Sequence, residues 1–453
     1  MSIDLAQRAL AAAGGDALAS VTHERSLMLR FARSRPTQAT SVDDLTVEVA
    51  AVRDGHVGRA SGNATDAGGV AAVGRAAATA AEAAARTAPD HGSFPGFPAV
   101  GPSPPHDGHD AATATLDPEP GGRALGAAIS AAREAGAEAG GIWTAAEVQR
   151  AVVSTAGAEA SERVTDAFMK VVATGPSGRT GYSAQTAVAS GALDPEGLAR
   201  RAAGKAVVSD PPVSAPPGTY PVVFEPPAVA ELLWVLARVA FDGLAHAEGR
   251  GALEDRIGTR VVSPAVNISD SPRYGSTLPR TFDAEGVPKA PLPLIQDGVA
   301  HRVVHHTRSA ALAGVESTGH ARVAADSGRA AATNLVMAGG GAADEDDLCE
   351  GIERGIYVTR LWYTNILRPA NSLFTTVTRD GTFLIENGRV TRPVADMRVT
   401  DSALEILSRT EALGSRAVLT SDGELYGRRF AYGTVCPPLR ASGVRFTGSS
   451  DDV

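Results

Sequence analysis

Residues 220–258 read YPVVFEPPAVAELLWVLARVAFDGLAHAEGRGALEDRIG, and this stretch is the most informative part of the chain. Pro221–Glu225 has the composition of a strand, and two consecutive prolines then break the extended pattern. Ala228–Ala245 is a long apolar run that predicts a helix. The stretch therefore predicts a strand, a proline break and a helix, in that order.

The end of this stretch bears on whether the chain holds a metal of its own. A zinc-peptidase helix carries two histidines about four residues apart with a glutamate beside the first, so that both imidazoles share one face. Here a single histidine, His246, is followed two places later by Glu248, and Gly249 and Gly251 weaken any helix. One imidazole and one carboxylate are too few for a zinc site. We expect no metal ligand and no catalytic residue in this chain.

A second group of histidines lies in HRVVHHTRS, residues 301–309. In a strand, His301 and His305 would share one face and His306 the other. Together with His246 and Glu248 they define an alternative in which the chain is an independent hydrolase with a divergent site. In the other reading they are polar residues on a strand that faces a cavity or solvent, and His305 and His306 are candidates for contact with a substrate or a partner.

The segment TRLWYTN, residues 359–365, is the best candidate for recognition. Arg360, Trp362, Tyr363 and Asn365 combine apolar area, hydrogen-bonding groups and a guanidinium that can grip a carboxylate. These residues suit substrate binding, an interface with a partner chain, or plain core packing.

Composition limits the class of protein. The chain has 453 residues, 43% of them hydrophobic, and a formal net charge of −9, so it has no basic footprint for nucleic acid. Two cysteines cannot build a disulfide framework, and Cys436 before two prolines is expected to be an exposed thiol. The start, MSIDLAQRALAAAGG, lacks a secretion signal, and the run 229–245 is too charged to span a membrane. We expect a cytoplasmic protein.

The N-terminal half predicts a domain of helices and strands over residues 1–210. A Pro- and Gly-rich loop covers residues 89–122, and the segment VVSDPPVSAPPG, residues 207–218, is the predicted linker. The other predicted elements are helices at Ile3–Ala13, from Thr65 or Asp66 to Arg86, at Leu125–Ala137 and at Pro195–Ala206, and strands at Ser26–Ser34, Leu45–Val52, Val57–Ala60, Ala151–Thr155 and Ala167–Thr174.

Residues 219–453 predict a second domain, made of short strands separated by turns. Asp380-Gly381 and Asn387-Gly388 are hairpin signals. The predicted strands are Val261–Ile268, Leu292–Ile295, Val299–Val304, Gly355–Leu361, Leu373–Arg379, Gly381–Ile385, Arg389–Pro393 and Leu439–Thr447. The chain is therefore predicted to be α+β, with an N-terminal α/β domain followed by a C-terminal domain dominated by antiparallel sheet.

A series of short motifs in the second half resembles the TldD/PmbA family, and specifically its TldE (PmbA) side. The signatures FDAEG and IENG, in this order, carry most of the resemblance. The motifs are GTYPVVFEP at 218–226, RIGTRVVSP at 256–264, DSP at 270–272, TFDAEGVP at 281–288, STGHA at 317–321, TNL at 333–335, GIYVT at 355–359 and IENG at 385–388.

The resemblance implies one chain of a two-chain enzyme. TldD-type chains carry a His-Glu-x-x-x-His helix with further zinc ligands, whereas TldE-type chains lack these ligands and complete a heterodimer around a closed cavity where peptide is cleaved. The empty position at His246–Gly251 then assigns this chain to the TldE side, with zinc in the TldD-like partner and none here.

The substrate that the resemblance implies is a peptide. The run LWYTNILRPANSL, residues 361–373, departs from the Gly-rich, Asn-containing segment of common TldE chains. The substrate can therefore also be a peptide-like conjugate of specialised metabolism. A self-associating binding module without catalysis is the remaining alternative.

Overall fold

The computed structural model describes residues 2–88, 94–325, 328–421 and 429–449. Five residues of the predicted loop, 89–93, lie outside this description, and most of the rest of the loop has no regular structure. The N-terminal half contains α1 (Ser2–Ala13), β1 (Ala17–Ala32), β2 (Arg35–Arg53), β3 (His56–Gly62), α2 (Ala67–Thr87), α3 (Pro118–Glu134), β4 (Glu138–Ser154), β5 (Glu159–Thr174), β6 (Thr180–Ala187) and α4 (Pro195–Ala206).

These six strands form one antiparallel sheet in the order β3-β2-β1-β4-β5-β6. Side chains alternate between its two faces. Odd-numbered residues of β1, such as Ala19 and Leu27, belong to the two apolar clusters that the sheet forms with helices α1 to α4. Even-numbered residues, such as Leu18 and Glu24, contact parts of the C-terminal half. One face of the sheet is thus covered by helices and the other by the rest of the chain.

The C-terminal half is richer in strands. It contains β7 (Gly218–Phe224), α5 (Pro226–Val239), α6 (Gly243–Ala247), β8 (Ile268–Asp270), β9 (Leu292–Gln296), β10 (Val299–Ala300), α7 (Thr307–Ala313), β11 (Leu335–Met337), α8 (Glu345–Cys349), β12 (Arg354–Arg368), β13 (Leu373–Glu386), β14 (Arg389–Pro393), β15 (Met397–Ser402), α9 (Ala403–Ser408), β16 (Thr410–Leu413), β17 (Val418–Thr420), β18 (Thr434–Cys436) and β19 (Leu439–Ser449). The α+β fold class is confirmed, whereas the domain boundary between residues 210 and 219 stays a prediction.

Two sheets share the core of this half. One has the order β10-β9-β8-β11-β18-β17, and the other has the order β12-β7-β19-β15-β13-β14. An additional β12–β13 pairing closes five strands of the second sheet into a ring. Helix α5 contacts strands of both sheets and contributes Leu232, Leu233 and Leu236 to the largest apolar cluster. The stretch quoted first therefore lies at the centre of the C-terminal core.

The predicted helix Ala228–Ala245 is wrong in its length. Pro226 and Pro227 occupy the first turn of α5, where a missing N–H costs nothing, and the helix ends at Val239. Asp242 then has extended backbone, and its carboxylate accepts hydrogen bonds from the N–H groups of Leu244 and Ala330. This buried cap starts the separate helix α6, so the chain turns where apolarity alone predicts continuation.

Two strand predictions and one hairpin prediction in this half are also wrong. Residues 261–267 lie outside any strand, because Val261 and Val262 both donate to the carbonyl of Gly298 rather than to a ladder. The strand predicted at Val299–Val304 ends at Ala300. At Asp380-Gly381 there is no hairpin: β13 continues through a bulge, in which Asp380 has φ 55 and Gly381 has φ 131.

Buried charges join the two halves. The guanidinium of Arg429 donates to both carboxylate oxygens of Asp166 on β5 at 3.0 Å and to the hydroxyl of Thr144 on β4 at 2.9 Å. Its backbone N–H donates to Glu24 on β1 at 2.8 Å. Arg280 contacts Glu162 in the same region at 3.5 Å. These contacts fix the sheet against the C-terminal half.

Candidate functional site

The exposed side of α5 carries an arginine on an aromatic platform. Trp234 and Arg238 lie one helical turn apart, and the guanidinium carbon of Arg238 is 4.4 Å from the indole centroid. Burial and the neighbouring guanidinium groups of Arg329 and Arg322 lower the pKa of Arg238. This side of α5 therefore presents cationic and aromatic groups.

The donor set beside α5 does not fit zinc. His246 lies on α6, and its Nδ1 is buried without a hydrogen-bond partner, whereas the carboxylate of Glu248 pairs with Arg250. Within the described parts of the chain, no group of three or more His, Cys, Asp or Glu side chains is placed to hold a metal ion. A closed zinc site takes four ligands, or three and a water. Within these ranges His246 and Glu248 therefore do not form a zinc site by themselves.

His305 and His306 are interior residues, whereas His301 is exposed. None of the three lies in a strand, so the predicted strand geometry is wrong. His306 caps α7, and its Nδ1 accepts from the N–H of Ser309 at 3.1 Å. Burial, followed by repulsion from other histidines, lowers the pKa of His305 to about 4. Their contacts are those of residues that hold loops together.

The motif FDAEG forms a buried acidic turn beside these histidines. Asp283 accepts from the backbone N–H groups of Glu285, Val287 and Ala321. Glu285 accepts from the N–H and hydroxyl of Thr307 at 3.0 and 2.5 Å and from the N–H of Ala325 at 3.0 Å. Burial and the Asp283 charge raise the pKa of Glu285 to about 7. The turn thus connects three loops through backbone amides.

A second buried cluster uses the motifs DSP and STGHA. One carboxylate oxygen of Asp270 lies 3.3 Å from Nζ of Lys289 and 3.2 Å from Nε2 of His320. Although burial opposes ionisation, the Lys289 and His320 charges hold the pKa of Asp270 below its ordinary value. The other oxygen accepts from the N–H groups of Thr333 and Asn334. The motifs DSP and STGHA therefore form a buried charge network, in which the Asp270 oxygen that faces Lys289 and His320 makes ion-pair contacts but no hydrogen bond.

Arg360 is the predicted site residue that borders a cavity. Its guanidinium stacks between the rings of Tyr182 and Trp362, at 4.3 and 4.6 Å, and pairs with Asp380. The cavity has a volume of about 270 Å³ and is bordered also by Trp234 on α5 and by Tyr432. We call it the α5 cavity. Of the other candidates, Tyr363 and Asn365 are exposed, Tyr363 at 76%, on the β12–β13 hairpin.

A second cavity, the sheet cavity, lies between the N-terminal sheet and residues 322–324, with a volume of about 350 Å³. Arg59, Arg150 and Arg322 line it. The guanidinium of Arg322 also lies 5.7 Å from the ring centroid of Tyr432, which borders the α5 cavity. Arg322 of the sheet cavity is thus a neighbour of Tyr432 of the α5 cavity. The sequence analysis did not identify Arg59, Arg150 or Arg322 as site residues. The one local signal of a functional arginine was Arg238, a charged residue inside an apolar helix.

Cys436 is buried rather than exposed, so that prediction is wrong. Its thiol contacts the carbonyl of Pro226, and burial raises its pKa well above the ordinary value. Burial also raises the pKa of Cys349, to about 11. Neither thiol is suited to nucleophilic chemistry.

Family models match most of the chain. Residues 217–448 match the PmbA/TldA metallopeptidase C-terminal domain, and residues 116–209 match the central domain of the same group. Fold and matches together define a metallopeptidase-like α+β protein. The chain belongs to the PmbA/TldD family.

Curated relatives and a solved structure agree with this assignment. A metalloprotease of Methanothermobacter thermautotrophicus is 28% identical over 229 residues, 49% of this chain and 48% of the relative. A metalloprotease TldD homolog of Haemophilus influenzae is 28% identical over 252 residues, 54% of this chain and 51% of the relative. The chain thus matches about half the length of these relatives. TldE from Thermococcus kodakarensis has the same fold, with a TM-score of 0.86, 21% identity and coverage of 98% of this chain and 99% of that one.

Proposed function

We propose that this chain is a non-catalytic, TldE-like subunit that pairs with a TldD-like zinc metallopeptidase. The observation that carries the proposal is the donor set beside α5 and α6: one histidine with an unpartnered nitrogen, a glutamate paired to arginine, and an arginine on a tryptophan. A TldE solved in another organism has the same fold over almost its whole length.

In this proposal the partner supplies the metal and this chain supplies part of the cavity wall. Zinc held by the partner would supply Lewis-acid chemistry, which polarises a scissile carbonyl and activates water. The α5 cavity and the sheet cavity offer aromatic rings and arginines on which an extended peptide or peptide-like conjugate can be held. The exposed Tyr363 and Asn365 of the β12–β13 hairpin are proposed contacts with the partner or the substrate.

A cytoplasmic location completes the proposal. Both cysteines are free, which suits a reducing compartment. No helix in the described ranges is long and apolar enough to cross a membrane.

The proposal is tested on the purified chain alone. We expect no stoichiometric zinc by plasma mass spectrometry and no cleavage of unfolded peptides, because the donor set does not fit zinc. Stoichiometric zinc together with peptidase activity that His246→Ala abolishes would support the independent hydrolase instead. The same preparation carrying Arg200→Gln, an exposed change on α4, controls for purification.

A further inference from the structure

Arginines and aromatic rings from three separate segments meet beside α5. They are Trp234 and Arg238 of the helix, Arg322 of the loop after STGHA, and Phe430 and Tyr432 before β18, and we call this group the arginine–aromatic cleft. Arg322 lies 4.8 Å from the ring centroid of Phe430 and 5.7 Å from that of Tyr432. Arg238 lies 4.4 Å from that of Trp234. Trp234 and Tyr432 both border the α5 cavity.

Arg238 differs from the other buried arginines in its contacts. Arg280 and Arg429 pair with Glu162 and Asp166, respectively. Arg238 is half-buried, and within the described residues it makes its ring contact with Trp234 but no hydrogen bond and no ion pair. Its five N–H donors are therefore available for a ligand.

The electrostatic surroundings favour an anion at this place. The charges of Arg329 and Arg322 act on Arg238 with the same sign, whereas Tyr432 and, to a smaller extent, Glu231, two turns earlier on α5, act in the opposite direction. Like charges held close together repel each other, and a bound anion removes this repulsion. Guanidinium groups that stack on rings are also partly desolvated, which strengthens their hydrogen bonds to a carboxylate.

We propose that the arginine–aromatic cleft is a subsite for a peptide carboxylate that adjoins an apolar side chain. The planar fork of Arg238 pairs with both oxygens of a carboxylate, and the rings of Trp234 and Tyr432 enclose the neighbouring side chain. The α5 cavity, of about 270 Å³, is lined by Trp234, Tyr432 and Glu231 but not by Arg238, so it suits the apolar side chain that neighbours the carboxylate, with the carboxylate itself at Arg238 beside the cavity. This inference rests on the proposed function only in taking the ligand to be a peptide.

The test measures binding to the isolated full chain by calorimetry, without a partner and without cleavage. The probe is an acetylated tetrapeptide of apolar residues with a free C-terminal carboxylate, compared with the same peptide as its amide. We expect the free acid to bind roughly tenfold or more tightly than the amide, the loss typical of one charge-assisted pair. Equal affinities for acid and amide overturn the proposal.

Variants locate the effect. Arg238→Gln is expected to remove the preference for the acid, and Arg238→Lys, which keeps the charge but loses the fork, is expected to keep part of it. Arg200→Gln, an exposed arginine on α4, is the matched control and keeps the full preference. Circular dichroism confirms that each variant is folded. A preference that survives in the folded Arg238→Gln protein overturns the assignment.

Two further probes identify the source of the carboxylate. An amidated peptide with an internal glutamate tests whether an acidic side chain replaces the terminus, and tight binding of it supports the same chemistry. Inorganic phosphate that competes as well as the free acid contradicts a site for carboxylates. Because neither pairing nor cleavage enters these measurements, a negative result here leaves the proposed subunit role standing, and failure to pair leaves this binding result standing.

Discussion

Glu285 and His305 approach Thr307 and Ser309 of the same short helix, α7, and burial moves their pKa values in opposite directions. The pKa of Glu285 is raised to about 7, and the pKa of His305 is lowered to about 4. A carboxyl group with a raised pKa stabilises the fold below its unfolded value near 4.5, and that stability is lost as pH rises through 7. A histidine with a lowered pKa contributes above its ordinary 6.5, and the contribution is lost as pH falls through 4.

The substitution Glu285→Gln isolates the contribution of Glu285 to the pH dependence of the free energy of unfolding. The variant loses one acceptor for Thr307 or Ala325, so we expect it to be less stable than the native chain at pH 5. Because glutamine does not ionise, the difference in the free energy of unfolding should shrink or reverse toward pH 8, by about 3 kcal/mol. Urea unfolding at pH 5, 6, 7 and 8 measures this change.

His305→Asn provides the comparison of opposite sign. Its deficit in the free energy of unfolding should shrink as pH falls from 7 to 4, because the native chain then loses the contribution of its histidine. A pH-independent gap between Glu285→Gln and the native chain would contradict the raised pKa of Glu285.

Substitution of Arg429 tests whether the buried charges between the two halves of the chain stabilise the fold. In Arg429→Met the carboxylate of Asp166 stays buried and loses its guanidinium partner, whereas the backbone N–H that Glu24 accepts from is kept, so we expect a loss of about 3–5 kcal/mol in urea unfolding. The exposed pair Arg200–Glu196 is the control, and Arg200→Gln should cost less than about 1 kcal/mol. Equal losses for the two variants would show that the Arg429 contacts do not stabilise the junction.

At this scale the sequence predicts residue chemistry better than residue surroundings. Arg360 and Trp362 were found because they stand together in one segment, and the structure places both at the α5 cavity or its edge. Arg238, Arg322 and Tyr432 were missed because they are far apart in the chain and meet only in the fold. Cys436 was misplaced because its burial depends on a contact with Pro226, also distant in sequence.

Among the elements, the contact between α2 and β3 is unusually close. A Cβ at Gly58 of β3 would overlap the backbone nitrogen of Ala81 and the carbonyl oxygen of Ala77 on α2. Backbone atoms cannot move aside as a side chain can, so we expect Gly58→Ala to lower the free energy of unfolding by about 2 kcal/mol or more.

Gly126 is the matched control, because it lies inside α3 with no atom within 4 Å of its added Cβ. Gly126→Ala should stabilise the protein by about 0.5–1 kcal/mol, since alanine favours the helix. Thermal unfolding shows whether Gly58→Ala lowers the stability of the protein and whether Gly126→Ala raises it. A Gly58→Ala protein as stable as the native chain would mean that α2 does not pack on β3 in this way.

Elements with local signals were predicted well. Helix α4 has its predicted bounds, and Asp194 caps it, because the Asp-Pro start signal is local in the sequence. The α5–α6 break was missed because it depends on the Asp242 carboxylate reaching the N–H of Ala330, far along the chain. The bulge at Asp380 was predicted to be a hairpin because an Asp-Gly pair suits both a hairpin turn and a bulge. The contacts of Asp380 with Arg360 and Thr180 favour the bulge, and they exist only in the folded chain.

On the scale of the whole molecule, the N-terminal sheet has one face on its own helices and the other on the C-terminal half. The cavities lie along the second face, beside the buried ion pairs, and the exposed β12–β13 hairpin extends from the same half. The family motifs predicted the fold, but the position of the arginines relative to the cavities required the three-dimensional arrangement.

The central claim is that this chain completes a zinc peptidase without supplying the catalytic groups. The most direct measurement is co-expression with a TldD-type chain that carries His-Glu-x-x-x-His, followed by size-exclusion chromatography with light scattering and a peptide-cleavage assay of the purified species. We expect a 1:1 complex that cleaves peptide only when both chains are present. Failure to form that complex, or equal cleavage by this chain alone, would contradict it.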